Sequence, residues 1–498
     1  MTEKLKYYSS SFFFLFLSSV INILFLMISK IIIARFSNLE IYGFISVVIS
    51  EGQTLSVFLA IGLFSIIRIE LPRNNNFEKF SRIVSSILYF LIFSTLSFIT
   101  SLILFNINSK ATFAYSFFLC SIINFYTLAI MIFSGLKKFH YVFGISLIQN
   151  LFFFFLIFIS RNNLNVLNIV NYLFLSYLLS YILPIFIGFF FIYKNGKFDI
   201  KQNLLNFNFR IEKAFIFNKQ RLYLYGTRIS VVLQSYLLLK VPQFLGYTIQ
   251  SAYLSISHGV PALLLIIPNI VDSLISPLIS KQFSLNKKTR INQIIKEGFM
   301  IIYLLLGMGL IILSFHGDFI IIILYNEKYL ESAGIIFYIF LIGIIMESLT
   351  IPLKAIFINS NQEKIFAAGR YILLISFLLS LSILLLILNE ILLAVSMSFI
   401  IGFIMELIVF IYYIKKKTQK ILLNLKNILK WLIIVISSIF LGMFSSLIFN
   451  FPQTIKFIIL CCNLLIFILF LWLTDLVSIN EIFKNIKSLL FEKFRIKS

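Results

Sequence analysis

Long apolar runs recur along almost the whole chain, and they constrain its fold more than any other feature. They extend from Phe12 to Val477, and most are longer than twenty residues. A helix needs about 20 apolar residues to cross the roughly 30 Å hydrocarbon core of a bilayer. The pattern therefore predicts an all-α polytopic membrane protein with fourteen transmembrane helices. The predicted spans are 10–34, 41–67, 83–106, 112–135, 142–160, 167–193, 221–240, 246–280, 297–315, 332–353, 367–389, 391–414, 430–449 and 456–478.

The composition agrees with a lipid environment. Hydrophobic residues make up 60% of the chain and charged residues 12%, about half the charged fraction that is usual for soluble domains. Helices are favoured over strands because the alternating pattern of a membrane barrel is missing from the sequence. The sequence also lacks metal-ligand spacings, a Ser–His–Asp arrangement and a phosphate-binding glycine loop. We therefore expect a transporter rather than an enzyme, with no bound cofactor or metal.

Basic residues cluster at every second gap between the apolar runs, and they predict the orientation of the chain. Lysine and arginine are enriched in cytoplasmic loops, so both termini should be cytoplasmic. The N-terminus resembles a signal peptide, with Lys4 and Lys6 before an apolar run, but the run is too long and lacks a cleavage site. It is better interpreted as an uncleaved first span. The net charge of +23 is explained by topology and by contact with anionic membrane lipids, and we expect no nucleic-acid partner.

The longest hydrophilic stretch divides the chain near its middle. Residues 194–220 form a predicted cytoplasmic basic linker between an N-lobe, 1–193 with spans 1–6, and a C-lobe, 221–414 with spans 7–12. Residues 415–498 would add two spans and a cytoplasmic C-terminal tail. Two six-helix lobes joined by a linker are a common plan for transporters, with the substrate site in a central cavity between them.

Two basic residues inside predicted spans are the first candidates for substrate binding. Lys30 lies in span 1 near Asn22, and Arg228 lies in span 7 beside a polar stripe that includes Thr227 and Gln234. Ionisable residues are costly in lipid, so they tend to face the bundle interior and to be functional. Arginine can hold a phosphate through two parallel hydrogen bonds. For both basic residues, the alternative is a side chain that extends to the membrane surface.

Acidic residues inside spans are candidates for binding a coupling ion. Glu51 lies in an unusually polar patch of span 2, and Asp272 lies in a span with three prolines that permit kinks or partial unwinding. Either acid could pair with Lys30 or Arg228, and a purely structural ion pair is the alternative. Two further acids inside spans, Glu347 and Glu406, lack comparable polar surroundings. Three other basic residues, Arg35, Arg68 and Lys240, are assigned to the interfaces, where topology or lipid contact explains them.

Several short motifs resemble those of O-antigen and polysaccharide flippases, within the multidrug/oligosaccharidyl-lipid/polysaccharide superfamily. Residues 34–43 (ARFSNLEIYG) and 60–68 (AIGLFSIIR) resemble the family's entry into span 2 and its end. Residues 317–329 (GDFIIIILYNEKY) resemble the outer loop before span 10, and 275–280 (ISPLIS) resembles the end of span 8. The order and spacing of these motifs carry the resemblance. One position departs from it, because Asn326 replaces an expected glycine, and asparagine also tolerates turn conformations.

The resemblance implies transport of an oligosaccharide on undecaprenyl diphosphate, an O-antigen or capsule repeat unit, from the cytoplasmic to the outer leaflet. Alternating access would be driven by a proton or sodium gradient, in a bacterial inner membrane. Other polysaccharide-assembly proteins would be further partners. Two alternatives stay open. A multidrug/cation antiporter of the same superfamily would favour acidic residues in its cavity. A polytopic polymerase of the same pathway would be an enzyme with a large outer loop, whereas every outer gap here is short.

Overall fold

The structure is a computed structural model, and every regular element that it describes is a helix, as the apolar runs predict. The described residues are 17, 20–21, 24–60, 76–107, 112–136, 138–194, 219–272, 275, 279, 288–359, 362–417, 425–445 and 452–474. The helices are α1 Leu39–Ala60, α2 Asn76–Ile107, α3 Thr112–Gly135, α4 Phe139–Ile159, α5 Val166–Lys194, α6 Lys219–Phe244, α7 Thr248–Ala262, α8 Lys288–Ile301, α9 Gly307–Tyr325, α10 Leu330–Asn359, α11 Glu363–Ile387, α12 Ile391–Lys417, α13 Leu425–Met443 and α14 Gln453–Leu473. Residues 24–36 and 266–272 are also helical.

Ten segments among the described residues are long and apolar enough to cross a bilayer, and each coincides with a predicted span. Two more predicted spans appear as shorter apolar helices, Val166–Ser180 and Asn427–Met443. The first predicted span is helical over its described part, 24–36. The seventh is the continuous helix α6, which carries too many polar residues to be included with the ten. The chain is thus a multi-pass membrane protein.

Polar side chains fix several of the helix ends. The Asn38 side chain accepts a hydrogen bond from the Ile41 amide at 2.8 Å, and Asn165 does the same for Asn168 at the start of α5. Each satisfies a donor that a helix N-terminus leaves free. Asn326, between α9 and α10, has a φ of +103°, which confirms that it occupies the turn conformation expected from the motif. Asparagine is one of the few residues with a side chain that adopt this region readily.

The proline-rich eighth span changes helix type beside Pro261, where its sequence permits a kink or partial unwinding. Helix α7 ends at Ala262, directly after Pro261, and a 3₁₀ turn over Leu263–Leu265 leads into the segment 266–272. Proline removes a backbone donor and crowds the preceding turn, which explains the change of helix type. The residues around Pro277 lie outside the described part of the chain. A second irregularity, a π-helical segment over Ile302–Leu306, joins α8 to α9.

The chain forms two compact units. The first unit comprises the described residues within Met1–Gly259, Leu324–Asn326 and Glu363–Glu406. In it, α3 packs against α1, α2 and α5, while α6 packs against α1 and α11. The second unit comprises those within Val260–Ile323, Glu327–Gln362 and Leu407–Ser498. The division into two lobes, 1–193 and 221–414, stays a prediction, as does the cavity between them. Most of the predicted linker, 194–220, lies outside the described residues.

The last two helices are integral to the second unit. Trp431 on α13 donates its indole N–H to the Tyr303 carbonyl at 2.9 Å, within the π-helical segment. The Phe467 ring of α14 packs where a side chain at Gly307 would otherwise lie, and Ser438 donates to the Asn463 amide oxygen at 2.9 Å. These contacts dock α13 and α14 through specific polar groups and close packing as well as through apolar surface.

Candidate functional site

Glu51 lies at the centre of a buried polar cluster in the first unit. Only 1% of its surface is exposed. The Tyr236 hydroxyl donates to Oε1 at 2.9 Å, and the Ser116 hydroxyl donates to Oε2 at 2.8 Å. The ammonium Nζ of Lys240 lies 3.4 Å from Oε1. Helices α1, α3 and α6 therefore meet at one carboxylate, and both of its oxygens are satisfied.

Lys240 is the cation of this cluster, so an ion pair with Glu51 accounts for it better than the lipid contact expected from the sequence. The residue is 5% exposed, and Nζ donates to the Thr112 hydroxyl at 2.5 Å. The rings of Phe113 and Phe244 lie 4.5 and 5.4 Å from the same nitrogen. Aromatic faces attract a cation, so they add to its stabilisation. Lys30 and Arg228 were the partners considered for Glu51 from the sequence, and the structure places Lys240 beside it instead.

The polar stripe predicted on span 7 is present on α6, and its members are buried. Thr227 is 6% exposed and Gln234 is 1% exposed. The Nε2 atom of Gln234 has no hydrogen-bond partner among the described residues and lies beside Gly402 of α12. At the start of the stripe, Gly226 leaves room for the Tyr371 hydroxyl of α11. The stripe thus faces the helices of the Glu363–Glu406 segment.

The two predicted basic contacts, Lys30 and Arg228, are each half-buried on a helix of the first unit. Arg228 lies on α6 beside the polar stripe, as its spacing predicts. On the neighbouring helix α7, the His258 ring packs edge-on against Phe399 with 5.3 Å between centroids. Asn22 lies outside the described residues, so its predicted role is unchanged.

A second buried ion pair joins α11 and α12. Arg370 Nε lies 3.0 Å from Glu406 Oε1, and the two side chains are 7% and 0% exposed. The contact is one of charge, because neither atom is aligned for a hydrogen bond. Glu406 was expected to lack polar surroundings, and Arg370 corrects that expectation. The signal was available in the sequence, since two consecutive spans each carry one charge of opposite sign.

Ion pairs also occur within the second unit. Lys354 on α10 approaches Asp272 to 3.9 Å, and its side chain is 43% exposed, so solvent or headgroups can screen this pair. Lys456 on α14 donates to Asp318 on α9 at 2.6 Å and is buried. In the described part of the chain, no cluster of His, Cys, Asp and Glu could hold a metal ion.

No protein-family model matches this sequence, and no curated protein is recognisably similar to it. Solved structures do share its architecture. The structure of "Lipid II flippase MurJ, inward closed conformation" superposes with a TM-score of 0.63 and 14% sequence identity. The superposition covers 93% of this chain and 100% of that chain. This chain therefore shares the fold of that structure. The eukaryotic MATE transporter AtDTX14 gives a TM-score of 0.59, with 14% identity over 88% of this chain and 98% of that chain.

The same fold occurs in MATE multidrug transporters. The structure of the MATE multidrug transporter DinF-BH gives a TM-score of 0.59 at 12% identity, covering 84% of this chain and 97% of that one. At such low identity the similarity establishes the fold alone.

Proposed function

We propose that this protein is a flippase for a lipid-linked oligosaccharide. The substrate is an oligosaccharide on undecaprenyl diphosphate, an O-antigen or capsule repeat unit, moved from the cytoplasmic to the outer leaflet. Alternating access coupled to an ion gradient drives the movement, and the protein catalyses no covalent reaction. It resides in a bacterial inner membrane with both termini cytoplasmic, as the basic residues at every second gap indicate.

The charge balance inside the first unit carries this proposal. We counted the charged side chains that the structure describes in this unit and that lie more than one turn from a helix end. Four of them are basic and two are acidic. Four minus two leaves an excess of two positive charges in a membrane environment, where each charge is costly. A diphosphate headgroup is anionic and would offset this excess. The basic residues are Lys30, Arg228, Lys240 and Arg370, and the acidic residues are Glu51 and Glu406.

Of these cations, Lys240 and Arg370 each contact one of the two acids. The other two cations are Lys30 and Arg228, and both are half-buried rather than sealed in the packing. Thr227 and Gln234, beside Arg228, supply a hydroxyl and an amide of the kind that bind sugar hydroxyls. The proposed headgroup contacts are therefore Lys30, Arg228, Asn22, Thr227 and Gln234, with Glu51 and Asp272 as proposed coupling-ion residues.

A multidrug/cation antiporter is the second candidate, because MATE transporters share the fold. The positive excess opposes it, since a cationic drug would be repelled where a diphosphate is attracted. A polymerase of the same pathway is less well supported, since the neighbours in fold are transporters and flippases.

Transport in reconstituted vesicles distinguishes these functions. Labelled undecaprenyl-diphosphate oligosaccharide and a fluorescent cationic drug are followed in parallel in vesicles containing the folded protein. We expect the lipid-linked sugar to change leaflet and the drug to stay at the level of empty vesicles. Drug movement without lipid movement would establish the antiporter instead. Failure of both substrates with folded protein would refute the proposed flippase.

A further inference from the structure

The hydrogen bonds around Glu51 leave a place for one added proton. The Ser116 hydroxyl has three acceptors in reach: Glu51 Oε2 at 2.8 Å, the Thr112 carbonyl at 2.8 Å and the Val48 carbonyl at 3.3 Å. A hydroxyl has a single hydrogen to donate but can accept as well. If Oε2 gains a proton, that O–H can donate to Ser116, and Ser116 can donate to the Thr112 carbonyl. Tyr236 still donates to Oε1, so every group of the carboxyl stays satisfied.

Lys240 responds differently to the same event. With Glu51 ionised, its ammonium lies 3.4 Å from a full negative charge inside the helix packing. With Glu51 neutral, only the Thr112 hydroxyl and two aromatic rings contact it. A buried ammonium without its counter-ion is strongly destabilised. Protonation therefore leaves the hydrogen bonds of Glu51 satisfied, but it removes the counter-ion of the buried Lys240 ammonium.

We propose that Glu51 is a proton-binding site whose protonation releases Lys240 and so loosens helix α1 from helix α6. In the step, the carboxylate takes one proton from a hydronium ion, which leaves as water, and becomes a neutral carboxyl, while Lys240 keeps its charge and loses its partner. The two helices belong to predicted spans 2 and 7, one in each predicted lobe. The role of this site in transport rests on the proposed flippase function, whereas the proton-controlled contact does not.

The ligand is a proton rather than a sodium ion, because the geometry leaves no oxygen shell for a metal. Hard cations need several oxygen ligands at once. Here Oε1 already contacts an ammonium and an O–H donor, and Oε2 contacts a second O–H donor. The Lys240 ammonium occupies the position that a bound cation would take.

Few other titratable groups face Glu51. Helix α6 presents Tyr236 and Lys240. Helix α3 contributes Ser116 and has no charged residue between Thr112 and Gly135. Helix α5 also packs on α1 and is uncharged before Lys194, and α7, which approaches α1 at Gly43, has His258 as its one ionisable side chain other than tyrosine. A pH response of this contact should therefore depend on Glu51 and Lys240.

Hydrogen–deuterium exchange tests the site without any substrate. The full-length protein in lipid nanodiscs is exchanged across a pH series at fixed sodium, and across a sodium series at fixed pH. After each rate is corrected for the intrinsic pH dependence of amide exchange, we expect the protection of α1 and α6 to decrease as the pH falls and to be unaffected by sodium. Glu51→Gln, which is shaped like the protonated acid, should exchange fast at every pH and lose the response. Glu51→Asp, which keeps an ionisable group, should retain it.

A sodium response in place of the pH response, or a pH response that survives in Glu51→Gln, would overturn the proposal. If Glu51→Gln is poorly folded, the double variant Glu51→Gln/Lys240→Met removes both charges and keeps the test available, because replacing a whole buried pair is tolerated better than breaking it. It too should show no pH response. Because no lipid is moved in this experiment, its failure leaves the flippase assay unaffected, and failure of that assay leaves this result intact.

Discussion

Arg370 Nε lies 3.0 Å from Glu406 Oε1, and helices α11 and α12 bury both side chains almost completely. The pair holds two opposite charges in a low-dielectric environment, where each would be costly alone. The Phe366 ring lies 5.5 Å from the Arg370 guanidinium and covers it further. The pair therefore joins two helices that are adjacent in sequence, and its two members should be energetically coupled.

Breaking this pair should destabilise the protein more than removing it. We expect Arg370→Met alone and Glu406→Gln alone each to lower stability by about 3–5 kcal/mol, because one buried charge is left without its partner. The double variant should recover most of that loss. Thermal melting in detergent measures all three variants, and additive losses in the double variant would show that the two charges are independent.

Gly43 should be intolerant of alanine, because helix α1 approaches α7 closely at that residue. A Cβ atom at Gly43 would lie 2.3 Å from the Thr248 carbonyl oxygen and 3.2 Å from the Ala252 amide nitrogen, so the backbones would have to separate. We expect Gly43→Ala to lower stability by about 1–3 kcal/mol, the usual cost of overpacking.

Gly144 provides the matched control for Gly43. It also lies within a helix, α4, but a Cβ atom there would have no neighbour within 4 Å. Gly144→Ala should raise stability by about 0.5–1 kcal/mol, because alanine loses less conformational freedom in a helix. The melting temperatures of the two variants should thus shift in opposite directions, and a similar shift in both would contradict the close packing of α1 on α7.

Asp318 should anchor the last helix of the chain. Its Oδ2 accepts a hydrogen bond from Lys456 at 2.6 Å, and Lys456 is 1% exposed. Asp318→Asn would leave that ammonium buried without a counter-charge, so amide exchange over Gln453–Leu473 should increase. Glu331→Gln removes an exposed acid from the first turn of α10 and should leave the exchange unchanged. Equal exchange in both variants would mean that apolar packing alone holds α14.

Arg228 should be needed for transport and not for folding. Arg228→Ala is expected to lower the rate of lipid-linked oligosaccharide movement about tenfold or more, because a charge-assisted hydrogen bond contributes about 1.5–3 kcal/mol. Membrane abundance and melting temperature should stay close to those of the wild type. Arg161→Ala is the control, since Arg161 is exposed and contacts the Phe36 and Phe158 rings. An unchanged transport rate in Arg228→Ala would remove Arg228 from the proposed substrate site.

The sequence alone determined the helical membrane fold and most of its spans. Lipid offers no hydrogen bonds, so each long apolar run must satisfy its own backbone, and that requirement is local enough to read from composition and length. Local chemistry also indicated an irregularity in the proline-rich span, found as the 3₁₀ turn after Pro261, and a turn conformation at Asn326. The polar stripe of α6 followed from helical spacing alone.

Only the tertiary structure decided which charges meet. The sequence placed Glu51 in a polar patch inside a predicted span. It offered Lys30 or Arg228 as the partner and assigned Lys240 to an interface. The depth and the neighbours of a lysine depend on how three helices from distant parts of the chain pack. The same holds for Arg370 with Glu406 and for Lys456 with Asp318. A side chain's burial follows from periodicity within one helix, whereas its partner follows from the arrangement of several, and sequence spacing does not encode that arrangement.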